Sequence, residues 1–201
     1  MILAFDGSSI DGTAYTDVVH LAQRSPVWLD DSVSLWTTFG MALFAALMLV
    51  GWWRARRTGP AAAVTALVVP AVVVLAYAVD MGVKMVVRED RPCQSLHVST
   101  LEACPAPGDW SFPSNHAAVA AAAAVALVFV SRRLGAVAVL AALAMGASRV
   151  WVGAHYPHDV LAGVVVGGLV ALAAMLVLRQ QSTALARRLT TKRLGSVLLT
   201  A

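Results

Sequence analysis

The sequence predicts an all-α integral membrane bundle of about five spanning helices, preceded by a possible interfacial helix. Three observations carry that prediction. Hydrophobic residues make up 59% of the chain and charged residues only 13%, roughly half the charged share of a soluble domain. Mean hydropathy is +0.75. The apolar residues come in long unbroken runs rather than amphipathic periods, as bilayer-crossing segments require. A length of 201 residues suits one such bundle.

Residues 1–32 form an outward lead-in, rich in Asp6, Asp11, Asp17, Asp30 and Asp31 against a single Arg24. Val18, Val19, Leu21 and Ala22 mark one side of a short interfacial helix; a partly ordered lead-in is the alternative. Neither brings chemistry. Met1 to Asp31 lacks the basic start and apolar core of a cleavable signal. The spanning unit covers 33–178. Its first segment, 32–53, closes on Trp52 and Trp53 at an interface, and Gly59-Pro60 separates it from the second, 61–82. Pro70 inside the second predicts a kink, because neighbouring helices can satisfy the freed carbonyl. Residues 83–115 read as a polar loop with four prolines. The third segment, 114–130, is alanine-rich and built for close packing. The fourth runs 134–151, and the fifth 159–178 with Gly163, Gly167 and Gly168 for helix contact. A basic tail, 179–201, lies as a helix or loose segment on the inner leaflet.

Charge sets the topology. Arg54, Arg56 and Arg57, then Arg132 and Arg133, then the five basic residues of the tail fall on one side of a five-span chain. All 11 acidic residues fall on the other. The positive-inside rule makes the basic side cytoplasmic, so the N-terminus is outside and the C-terminus inside. Clusters of this kind explain the pI of about 9.6 without a nucleic-acid partner. Cys93 and Cys104 share an outward loop, where a disulfide persists; two unrelated thiols are the other reading.

Three polar stretches, 84–92, 112–116 and 146–160, face outward together. Ionisable groups near a bilayer are costly and mark function. Lys84, Arg91 and Arg149 are cations suited to phosphate, arginine through its planar fork and lysine as a point charge. Ser114 starts a helix whose first N–H groups meet an anion, and His116 lies in its first turn. His155 and Asp159, four residues apart, supply an oriented imidazole able to attack phosphorus, with His116 as proton donor. Arg88, His20, His97, Asp80 and Asp109 read as anchoring, solvated or helix-end groups. Trp110, Trp151 and Tyr156 read as interfacial belt residues, and His158 as second to the site or superficial.

In these motifs the chain resembles the type 2 phosphatidic acid phosphatase (PAP2) superfamily of membrane lipid phosphatases. The first motif is met by Lys84, Arg91 and Pro92, the second by Pro113, Ser114, Asn115 and His116, and the third by Ser148, Arg149, His155 and Asp159. The likeness spans about residues 35–178 in order. Asn115 departs from the usual glycine, keeping the backbone N–H but adding a side chain to the pocket. That departure and the run from Ser148 to Pro157 are similar to the bacitracin-resistance type of undecaprenyl diphosphate phosphatase.

The resemblance implies a hydrolase that needs no metal and no other cofactor, and no carboxylate cluster suited to magnesium is evident. It implies catalytic His155, His116 and Asp159, and phosphate binding by Lys84, Arg91, Ser114, Asn115 and Arg149. The expected substrate is a lipid phosphate entering sideways from the bilayer, with undecaprenyl diphosphate giving the monophosphate used in cell-wall assembly. The rival substrates are phosphatidylglycerol phosphate, phosphatidic acid or another prenyl phosphate. A non-enzymatic lipid-binding or transport protein is the reading from another class, and the His155–Asp159 pair argues against it. The expected location is the plasma membrane, multi-pass, with the site on its outer face.

Overall fold

The computed structural model describes residues 5–190 and Leu199. In order come α1 (Ser8–Gln23), α2 (Val27–Phe39), α3 (Met41–Ala55), α4 (Pro60–Leu67), α5 (Val69–Val87), α6 (Pro92–Ser95), α7 (Asn115–Val130), α8 (Arg132–Trp151) and α9 (Pro157–Thr190). Among the described residues the regular structure is helical, apart from one isolated parallel bridge between Phe5 and Glu89. Three helical stretches are long and apolar enough to cross a membrane: Pro60–Val87, Arg132–Trp151 and Pro157–Arg188. The pair α2 and α3 qualifies together but bends by 50°.

The bend corrects the uninterrupted first span expected over 32–53. The helix begins earlier, at Val27, and turns at Gly40. A Cβ at Gly40 would crowd the Trp36 carbonyl of α2 and the flexible tip of Met145 from α8, so glycine leaves room for the bend. In the second span the break falls at Val68, two residues before Pro70, where the ring removes a backbone donor. The fifth span overruns its expected end at 178 and continues as helix to Thr190, because no proline or glycine interrupts it. Of the tail, residues 191–198, 200 and 201 lie outside the described residues.

At the centre stands α7, with α3, α5, α8 and α9 packed around it. Its alanines are buried on nearly every side, and small side chains let five helices converge on one axis. Gly163 and Gly167 of α9 lie against the first turns of α7, where a Cβ would overlap the Ser114 and Ala118 carbonyls. That close approach fixes the start of α7 against the start of α9, with the Ser114 N–H donating to the Asp159 carbonyl at 3.0 Å.

The N-terminal segment is more than a lead-in. Gly12, Tyr15, Val19 and Ala22 form the buried face of α1, and Tyr15 and Val19 pack with Val150 and Tyr156. Of the residues expected on an interfacial side, Val19 and Ala22 are buried against the bundle and Leu21 is 58% exposed. Cys93 and Cys104 are joined by a disulfide that closes the loop after α6.

Candidate active site

The three polar stretches meet at one cavity of about 440 Å³ whose walls include Lys84, Arg91, Asn115, His116, Arg149 and His155. Ser114 and Asp159 stand behind those walls, both 0% exposed. Lys84 and His155, 71 positions apart in sequence, thus face one volume.

His155 lies in the short link between α8 and α9, and Asp159 in the first turn of α9. The His155 Nδ1 is 3.4 Å from Asp159 Oδ2. The same carboxylate oxygen accepts the Tyr156 N–H at 2.9 Å and a short hydrogen bond from the Ser111 hydroxyl. On the other side of the ring, Nε2 lies 3.0 Å from Arg91 Nη1. A guanidinium only donates, so Nε2 accepts and the ring proton sits on Nδ1, towards Asp159. The lone pair of Nε2 is thus held by Arg91, itself part of the cavity wall. Burial, opposed by the Asp159 hydrogen bond and reinforced by Arg91, pushes His155 down to about 3, so the ring stays neutral at physiological pH.

Each cation already holds an oxygen. Lys84 donates from Nζ to the Trp110 and Ser111 carbonyls, both at 2.9 Å. Arg91 donates to the Ala154 carbonyl at 2.9 Å, to the Asp109 carbonyl at 3.1 Å and to Asp109 Oδ1 at 2.9 Å. Arg149 donates to Thr37 Oγ1 at 2.7 Å and grips Glu102 through both carboxylate oxygens, at 2.8 and 3.2 Å. The Glu102 side chain is 41% exposed and that of Asp109 is 53% exposed. These carboxylates occupy the forks that an arginine otherwise offers to phosphate.

Ser114 is the N-cap of α7 in extended conformation, following a cis Phe112–Pro113 peptide. Its buried hydroxyl has no hydrogen-bond partner. A buried hydroxyl is costly to leave unpaired, and this one stands at a helix N-terminus whose dipole favours an anion. Asn115 turns its amide to the Met81 sulfur at 3.3 Å, and its own carbonyl oxygen is buried without a partner. His116 borders both this cavity and a second one of about 420 Å³ beside Thr37 and Thr38.

Sequence reasoning missed several partners. Ser111, which ties Asp159, lies outside the motifs; Asp109 and Glu102, which hold the arginines, sit in a loop with no periodicity to read. Asp11 of α1 binds His158, although the first 32 residues promised no chemistry. Glu89, His158 and Asp159 also come together, with one potential ligand atom from each within 4.8 Å of the others. No motif marked that grouping, since Glu89 and His158 are 69 positions apart.

The PAP2 superfamily pattern matches residues 65–182. Undecaprenyl-diphosphatase BcrC of Bacillus subtilis (strain 168) is 43% identical over 84 residues, covering 42% of this chain and 42% of that protein. The chain thus matches less than half the length of that curated relative. Two crystal structures share the fold at 20% identity. One is LpxE of Aquifex aeolicus, with TM-score 0.66, covering 87% of this chain and 99% of the other. The second is a PAP2-type phosphatidylglycerolphosphate phosphatase of Bacillus subtilis, with TM-score 0.61, covering 85% and 86%.

Proposed function

The chain belongs to the PAP2 superfamily, and from that premise we propose that it is a multi-pass membrane lipid phosphatase acting on a polyprenyl diphosphate. The preferred substrate is undecaprenyl diphosphate, converted to the monophosphate. The observation that carries the phosphatase reading is a neutral, buried His155 with Nδ1 towards Asp159 and Nε2 towards the cation-lined cavity. A protein that only binds lipid phosphate needs the cations but not an oriented imidazole. Similarity to undecaprenyl-diphosphatase BcrC supports the choice of substrate.

In this reading the terminal phosphate enters between Lys84, Arg91 and Arg149 and displaces Glu102 and Asp109 from the arginines. Ser114 Oγ and the first N–H groups of α7 take its remaining oxygens. As Arg91 turns from His155 to the phosphate, Nε2 is freed and attacks phosphorus. The bond to the leaving oxygen breaks, and His116, which takes up a proton when the anionic substrate binds beside it, gives that proton to the leaving oxygen. Asp159 accepts the Nδ1–H and stabilises the ring as it becomes positive. The cations offset charge on the equatorial oxygens. Water, losing a proton to His116, then attacks phosphorus; the N–P bond breaks, phosphate leaves and both histidines return to their starting states. No residue is asked to bind a metal.

The reading puts this site on the outer face, with the C-terminus in the cytoplasm, because the arginine-rich links lie at the opposite ends of the helices. As a helix of 16 residues, α7 spans roughly 24 Å, short of the ~30 Å hydrocarbon thickness. Its start, with Ser114 and His116, is therefore recessed where a lipid head group can reach it from the bilayer.

Phosphate release from undecaprenyl diphosphate in detergent with EDTA present, wild type beside His155→Ala, tests the proposal. Release by the wild type alone is expected, and quenching in alkali, where the N–P bond of a phosphohistidine survives, should find the phosphoryl group on histidine. Equal release by both proteins would remove His155 from the mechanism. Release from phosphatidylglycerol phosphate but not from the prenyl lipid would replace the substrate and keep the chemistry.

A further inference from the structure

The His158 ring lies between two carboxylates from distant parts of the chain. Its Nδ1 is 2.7 Å from Asp11 Oδ1, and its Nε2 is 2.9 Å from Glu89 Oε1. Asp159 Oδ1, buried and without a hydrogen-bond partner, is 3.6 Å from the same Nε2. With the carboxylates ionised, both ring nitrogens must donate, which makes the ring an imidazolium. Glu89 is 1% exposed and Asp159 0% exposed. Two buried carboxylates this close repel, and neither can stay charged without a cation beside it.

The surroundings hold this ring in place. Tyr156 stacks on it at 5.3 Å with planes 15° apart, and Phe112 lies 6.0 Å away. Asp11 Oδ2 also accepts the His158 backbone N–H at 2.7 Å, one of the orphan donors at the start of α9. To reach there, α1 breaks its helical course at Asp11, with φ −144° and ψ 27°. Phe5 pairs with the backbone of Arg88 and Asp90 on either side of Glu89, and a Cβ on Gly7 would strike the Glu89 carboxylate. The Glu89 carbonyl in turn accepts the Ser111 N–H at 2.7 Å, and the Ser111 hydroxyl binds Asp159.

We propose that Asp11, Glu89 and His158 form a partly buried ion cluster whose imidazolium keeps Asp159 charged and aimed at His155, making His158 a positioning residue and the N-terminal segment part of the site. The proposal rests on the reading of His155 and Asp159 as catalytic. Its consequence is specific. When His158 loses its charge, Glu89 and Asp159 share a site with no cation between them, and a proton taken up there spoils the acceptor that His155 needs. Removing the Glu89 charge as well relieves the competition.

The test is steady-state phosphate release from farnesyl diphosphate by purified protein in detergent. Wild type, Asp11→Asn, His158→Gln, Glu89→Gln and the double variant His158→Gln/Glu89→Gln are compared, with folding checked by helical circular dichroism. His158→Gln should lower kcat by about tenfold or more with KM little changed, and Asp11→Asn should lower it less. The double variant should recover most of the lost kcat. Additive losses, or a change confined to KM, would overturn the cluster, as would a double variant no better than His158→Gln. In parallel, ¹⁵N-imidazole spectra should show both His158 nitrogens protonated at neutral pH. A neutral ring would end the proposal even if every variant misfolded. Stoichiometric zinc surviving dialysis would also overturn it, because Glu89, His158 and Asp159 would then be ligands. A wild type inactive on farnesyl diphosphate, undecaprenyl diphosphate and phosphatidylglycerol phosphate alike would instead remove the phosphatase reading, and the positioning role with it.

Discussion

The two halves of the cavity wall differ in readiness. On the histidine side the parts are already assembled: Asp159 accepts from Tyr156 and Ser111, faces His155, and has no access to water. On the arginine side, Arg91 and Arg149 are engaged by the half-exposed carboxylates of Asp109 and Glu102. Orientation of a nucleophile gains from rigidity and dryness, where each hydrogen bond is stronger. In the proposed mechanism the phosphate clamp must instead be vacated on demand, and the half-exposed carboxylates can turn out to water as phosphate takes their place on the buried arginines. On the proposed mechanism, the difference makes Glu102 and Asp109 displaceable stand-ins for substrate oxygens.

That contrast can be broken at several points. The largest effect belongs to His155→Ala, which should abolish turnover while leaving the helical content and melting temperature near wild type; retained turnover would move the nucleophile elsewhere. Asp159→Asn comes next, with kcat lower by about 10²–10⁴-fold from loss of the oriented tautomer. On the clamp side, Arg149→Lys should cost about 10–100-fold in kcat/KM, since a lysine cannot reproduce the fork. Near wild-type kinetics in that variant would show that Arg149 does not hold phosphate. Smaller still, Glu102→Gln should lower KM by a few-fold with kcat unchanged, because a neutral amide competes less for Arg149. A raised KM would make Glu102 a substrate ligand rather than a placeholder.

Protonation offers a further check on the rigid half. The folded value of His155 is depressed, from 6.5 to about 3, so the neutral ring persists as pH falls through 6.5. The stability it contributes is present above 6.5 and is lost progressively as pH falls towards 3. Imidazole ¹⁵N spectra, with His155 assigned by its alanine variant, should show no titration between pH 8 and 5. A midpoint near 6.5 would mean that the site is wetter than its burial indicates.

Much of this molecule was readable in its residues. Long apolar runs, with arginines at alternate ends, specify crossing helices because unpaired backbone and charge are excluded from hydrocarbon. His155 and Asp159 lie only four residues apart, across the end of the link and the first turn of α9, so little more than local chain geometry brings them together. Lys84, Arg91, Ser114, His116 and Arg149 could be named because they fall in three polar stretches beside apolar runs, spaced as in the family motifs they resemble. Where helices bend was only partly readable. Pro70 announces its break, whereas Gly40 does so only once Met145 of α8 is seen against it.

The structure alone supplied whatever depends on contact between segments far apart in sequence. Ser111 is an ordinary loop serine until its hydroxyl is found on Asp159. Glu102 looks solvated until it is found on Arg149. Asp11 stands 147 positions from His158, and a single sequence has no local period linking them. Composition and periodicity report on each segment's own free energy in water or lipid, which fixes which segments cross. Partner choice among polar side chains depends on the small differences left after those segments pack, and only the packed arrangement decides it.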